Sequence, residues 1–89
     1  MTAIVTVVGK DKVGINAFVC TLLAEKNVNI LDISQTVMEG NFTMVMSVDL
    51  AGCTQPISEL SNALRTRGAE HDLEIRIARE EIFDAMHRV

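Results

Sequence analysis

Ala3-Ile4-Val5-Thr6-Val7-Val8-Gly9-Lys10-Asp11-Lys12-Val13-Gly14-Ile15 is the stretch from which the fold is read. Ala3 to Val8 is a continuous, largely β-branched run that stops at Gly9, the pattern of a central strand buried on both faces. After the loop from Gly9 to Gly14, apolar residues recur at Ile15, Phe18, Val19, Leu22 and Leu23. That i, i+3, i+4, i+7, i+8 spacing is the stripe of an amphipathic helix. Lys26 in the last turn suits the helix dipole, and Asn27 tolerates the left-handed backbone of a helix end.

Working outward, Ile30 to Met38 alternates with period two. Leu31, Ile33 and Val37 fall on one side and Asp32, Ser34 and Thr36 on the other, as in a half-buried strand. Gln35 sits on the apolar side, which makes it a candidate for a buried hydrogen-bond partner or an interface contact. A turn at Glu39, Gly40 and Asn41 leads into a second alternating run whose apolar row is Phe42, Met44, Met46, Val48 and Leu50, giving an antiparallel hairpin. Met44 and Met46 read as core filler. Pro56 opens a helix with Ile57, Leu60, Ala63 and Leu64 on one face, and Gly68 is its stop. A last strand holds Leu73, Ile75 and Ile77, and the tail from about 80 to 89 spaces Ile82, Phe83, Met86 and Val89 as a short helix does.

The order strand, helix, strand, strand, helix, strand predicts an α+β fold of the ferredoxin-like βαββαβ kind. A four-stranded antiparallel sheet carries two helices on one face, with a short C-terminal helix added. The other face is open and polar, with Thr6, Asp32, Ser34, Thr36, Thr43, Ser47, Glu74 and Arg76 on it.

Composition narrows the function. At 89 residues the chain is a single domain with a thin core, and a second subunit is a plausible source of further burial. The hydrophobic share is 48%, with three Phe and neither Tyr nor Trp, so the core is aliphatic. A net charge of −4 without clustered Lys or Arg argues against nucleic acid and against an anionic membrane surface. No apolar run approaches the ~20 residues of a membrane span, and the first residues lack the basic start of a signal peptide, so the expected location is cytoplasmic. Cys20 and Cys53 have no paired spacing, and His71 and His87 lack companion ligands, so neither a metal nor a cofactor is expected. Neither cysteine has a neighbouring base to activate it, and no enzyme activity is expected.

The candidate site is the loop itself. Two glycines bracket the charged tetrad around Lys10, Asp11 and Lys12, and the free N–H groups of a helix start favour a carboxylate or phosphate. The same residues also fit an ordinary turn with Asp11 as helix cap. Gly14 is followed by Ile15, not Lys, which excludes a phosphate-binding Walker loop.

The apolar strand followed by Gly9-Lys10-Asp11-Lys12-Val13-Gly14-Ile15, the amphipathic helix, and Asn29-Ile30 opening the second strand together resemble an ACT domain, with its core at residues 1–78 of a single domain spanning 1–89. The segments Thr6-Val7-Val8-Gly9-Lys10-Asp11, Asp32-Ile33-Ser34-Gln35-Thr36 and Ile82-Phe83-Asp84-Ala85-Met86 are similar to the free-standing ACT proteins of the UPF0237 group. The resemblance implies a regulatory domain that binds an amino acid or related metabolite at a subunit interface, in a homodimer or higher homo-oligomer. It implies ligand contacts from Asp11, Val13, Gly14, Ile15 and Asn16, closed by Asn29, Ile30, Leu31 and Asp32 of a neighbouring subunit. The alternative is a module that regulates a protein partner, an enzyme or transcription factor, without a ligand of its own.

Overall fold

The structure, a computed structural model, describes residues 1–81. Along the chain lie β1 (Thr2–Lys10), α1 (Ile15–Glu25), β2 (Asn29–Met38), β3 (Asn41–Asp49), α2 (Ile57–Ala69) and β4 (Leu73–Arg79). The strands make one antiparallel sheet in the order β2-β3-β1-β4. This is the expected βαββαβ arrangement; the C-terminal helix expected at about 80–89 lies outside the described residues apart from Glu80 and Glu81.

Pleating explains the core. Val5 pairs with Met46 and Ile77, and Val7 with Met44 and Ile75, so these side chains share one face of the sheet. Val19, Leu22 and Leu23 of α1 and Leu60 and Leu64 of α2 complete a single buried cluster with them. Each fully buried Leu there contributes about 1.5–3 kcal/mol relative to an exposed one. Both methionines are fully buried, as core filler should be.

The structure corrects several readings. β1 is central but buried on one face only: Ala3, Val5 and Val7 lie in the core, while Ile4 and Thr6 are half-buried and Val8 is exposed on the open face. A continuous apolar run does not distinguish two buried faces from one buried face whose outer residues happen to be β-branched. The eight polar residues assigned to the open face do share it by register, joined by Ile4, Val8 and Val45.

β2 is not half-buried. Among the described residues it is an edge strand bonded only to β3, and Ile33 and Val37 remain 40% and 52% exposed although they lie level with buried Met46 and Phe42. A register shift between Ile30 and Asp32 leaves Leu31 unpaired, out of the row it was expected to share with Ile33 and Val37. The hairpin turn is Glu39–Gly40 with Asn41 already in β3, and its two central residues have φ of 52° and 78°, the primed geometry that matches strand twist.

Gly68 does not stop α2, which continues to Ala69. A Cβ at Gly68 would lie 2.8 Å from Ile75 Cγ1 and 3.0 Å from the Leu73 carbonyl oxygen. The glycine is there for the close approach of α2 to β4. Asn27, with φ of 58°, does end α1 in the left-handed region.

Candidate functional site

The loop after β1 is held at both ends by its backbone. Lys10 pairs with Asn41, and the Asp11 N–H then donates to the Gly40 carbonyl at 2.8 Å, carrying the ladder one residue past the strand. Asp11 is therefore not the helix cap. That position belongs to Gly14, with φ of 91° and ψ of 0°, whose carbonyl accepts the Phe18 N–H at 2.9 Å. Among the described residues no side chain caps the start of α1, and no acid occupies its first turn. The N–H groups and positive dipole end of this helix thus lack the usual local compensation.

The two flanks of the loop differ. Toward β2, Asn16 Nδ2 donates to Gln35 Oε1 at 2.7 Å, and the Cys20 thiol lies 3.7 Å from Asn16 Oδ1. Gln35 is on the expected side of its strand, but it is exposed, not buried, and meets its partner at the surface.

Toward β4, Lys12, Val13, Gly14, Ile15, Phe18, His71 and Leu73 line a pocket of about 140 Å³. Lys12 Nζ donates to the His71 carbonyl, tying the loop to the turn between α2 and β4. The His71 and Phe18 rings lie 3.9 Å apart between centroids at 37°. Arg67 sits 6.0 Å from the Phe18 centroid and pairs with Glu25 at 3.7 Å and Glu70 at 3.6 Å. These ion pairs are solvent-exposed and add little stability.

Asn29, Ile30, Leu31 and Asp32 lie elsewhere. β1 and β2 both run antiparallel to β3 and hence parallel to each other; Thr2 and Asn29 stand level with Asp49, whereas Lys10 and Met38 stand level with Asn41. Within one chain the start of β2 is at the opposite end of the sheet from the loop, roughly 20 Å or more away at strand rise. The fold therefore brings Val13, Gly14 and Ile15 together around one pocket, sets Asn16 on the β2 flank, and leaves Asn29 to Asp32 apart. Asp32 is exposed, its carboxylate accepting the Ile33 N–H at 2.9 Å.

Sequence reasoning missed Lys12, Phe18, His71 and Leu73 as a group. The topology contained the signal: antiparallel pairing of β1 with β4 sets Leu73 beside Gly9, which brings the preceding turn against the loop. Among the described residues no group of three or more His, Cys, Asp or Glu side chains is placed to hold a metal ion. None of the helices described is long and apolar enough to cross a membrane. A wider depression of about 370 Å³ at the other end of the sheet is lined by Met1, Thr2, Arg79, Glu80 and Glu81.

Comparison with known proteins agrees with the fold. A family model described as an ACT domain matches residues 1–78. A UPF0237 protein of Listeria innocua is 49% identical over 89 residues, the whole of both chains. An ACT domain protein from Streptococcus pneumoniae superposes with a TM-score of 0.84 at 44% identity, covering 98% of each chain. The ACT domain of a GTP pyrophosphokinase from Chlorobium tepidum, 16% identical, shares the fold alone, with a TM-score of 0.63 over 88% of this chain and 97% of that one.

Proposed function

The chain belongs to the ACT domain family, and from that premise we propose that it is a regulatory module, not a catalyst, which senses an amino acid or related metabolite between two copies of itself. The observation that carries this reading is the uncapped start of α1 at Gly14, lying at the opposite end of the sheet from Asn29 to Asp32. Two copies joined edge to edge through antiparallel β2 strands place the start of one β2 beside the end of the other, and so beside its loop. The backbone N–H groups near Gly14 then receive the ligand's carboxylate, and Asp11 or Asn16 its ammonium, while Asn29 of the partner subunit and the residues after it close the cleft.

β2 suits that pairing. Ten residues long, it presents an outer edge unpaired among the described residues, with Leu31 53% and Met38 68% exposed. Long exposed edges of this kind are templates for another strand.

One feature favours the second reading, regulation of a protein partner without a ligand: Lys12 already reaches across the β4 flank to His71. A thermal-shift screen of the amino acids and common metabolites separates the two. A ligand at a hundredfold excess over its Kd adds about 2.7 kcal/mol, which for a domain of this size raises the Tm by roughly 10 °C or more. The sensing reading expects such a rise, lost in Asn16→Ala and in Asn29→Ala. No rise at millimolar concentration with any compound refutes it, and specific capture of a partner protein then favours the second reading.

A further inference from the structure

We propose that residues 82–89, which follow the described part of the chain, continue the helical backbone begun at Glu80 and Glu81 and lie across the open face of their own sheet, from the β4 side to the β2 side. The point of departure supports this. β4 ends at Arg79, level with Ala3 of β1, so Glu80 stands level with Thr2. The Thr2 hydroxyl donates to the Glu80 carboxylate, and Thr2 lies on the same face of β1 as Ile4 and Thr6. The chain therefore leaves β4 tied to β1 on the open side.

Length and pattern suit the crossing. From β4 over β1 and β3 to β2 is three strand spacings, about 14 Å, and a helix from Glu80 to Val89 is about 15 Å long. Ile82, Phe83, Met86 and Val89 recur on one face of such a helix. A helix this short is marginal in water and needs an apolar surface to rest on. On the other side of the sheet α1 and α2 already cover the core. On the open face Ile4 and Val45 are half-buried and Val8 is 41% exposed, so docking there removes two sets of apolar groups from water.

Charge points the same way. Asp32 is exposed on the β2 side of this face, and Arg76, bonded to Glu74, stands on the β4 side. A helix tethered at β4 keeps Glu81 and Asp84 toward Arg76 and delivers His87 and Arg88 toward Asp32. The tether also favours the chain's own tail over that of a second copy, because a segment already fixed at β4 escapes the cost of association.

The test is proton NOE spectroscopy of the full chain. Contacts are expected between the Phe83 ring and the methyl groups of Ile4 and Val45. A mixture of isotope-labelled and unlabelled chains, filtered for contacts between molecules, is expected to show none of them. Val45→Lys, a charge in the middle of the open face, is expected to abolish the contacts and shift the amide resonances of residues 82–89, leaving those of Leu60 and Leu64 in place. Phe83→Ser, which leaves the sheet untouched, is expected to shift the amides of Thr6 and Ser47. Ile33→Glu, a charge on the edge strand, is expected to preserve every contact, which separates this docking from the pairing of copies through β2. The proposal is overturned if Phe83 contacts neither Ile4 nor Val45, if the contacts arise between labelled and unlabelled chains, if they persist in Val45→Lys or vanish in Ile33→Glu, or if Phe83→Ser leaves Thr6 and Ser47 unshifted.

Discussion

Replacing Gly14 by Ala isolates the backbone conformation on which the loop depends. With φ of 91° the residue lies where a side chain costs roughly 1–2 kcal/mol, while Ala in place of Gly recovers about 0.4–1 kcal/mol by restricting the unfolded chain. A Cβ at this position meets nothing within 4 Å, so packing enters on neither side of the balance. The net expectation is a loss of about 0.5–1 kcal/mol, which lowers the Tm of a domain this size by a few degrees. Gly14→Asn should cost less than Gly14→Ala, since Asn visits the left-handed region more readily. Equilibrium urea unfolding followed by far-ultraviolet circular dichroism measures both. An Ala variant as stable as the parent, or an Asn variant less stable than Ala, refutes the assignment of Gly14 to backbone geometry. If Asn retains stability but loses ligand, the open space beside Gly14 is where the ligand approaches.

Gly68→Ala is expected to destabilise the protein in the same urea assay, although Ala gains about 1 kcal/mol of helix propensity. The new Cβ lies 2.8 and 2.9 Å from Ile75 Cγ1 and Cδ1, and overpacking of that kind costs about 1–3 kcal/mol; a gain in stability would show that α2 and β4 are less closely packed than described. Leu64→Ala, at a fully buried position, should lose about 2–5 kcal/mol, whereas Val37→Ala on the exposed edge strand should change the stability of the monomer by no more than about 0.5 kcal/mol. The reverse order would refute the placement of the core between β1, β3 and the helices.

The parts of the fold that were legible in the sequence are those where one face is buried and the other wet. The row Phe42, Met44, Met46 and Val48 was read correctly because all four are in the core and alternate with less buried residues. β2 misled because Leu31, Ile33 and Val37 have the same alternation, while position at a sheet edge depends on strand order, which periodicity does not carry. Gly68 misled for a related reason: a glycine late in a helical stripe looks like a stop, and only the distance to Ile75 reveals a contact. At the loop, Val13, Gly14 and Ile15 were identified as neighbours because they are consecutive. Lys12 with His71 was not, since 59 residues separate the two groups and only the pairing of β1 with β4 unites them.

The opposed positions of the loop and the start of β2 have a consequence for how such a sensor reports. Under the proposed pairing a solitary chain owns two incompatible halves of a receptor, and two chains acquire two whole receptors in a single step. The metabolite then acts as a rivet. When the chains are dilute, the number of filled receptors climbs with the square of their abundance, so the cell's output of this protein becomes a second input beside the nutrient it reads.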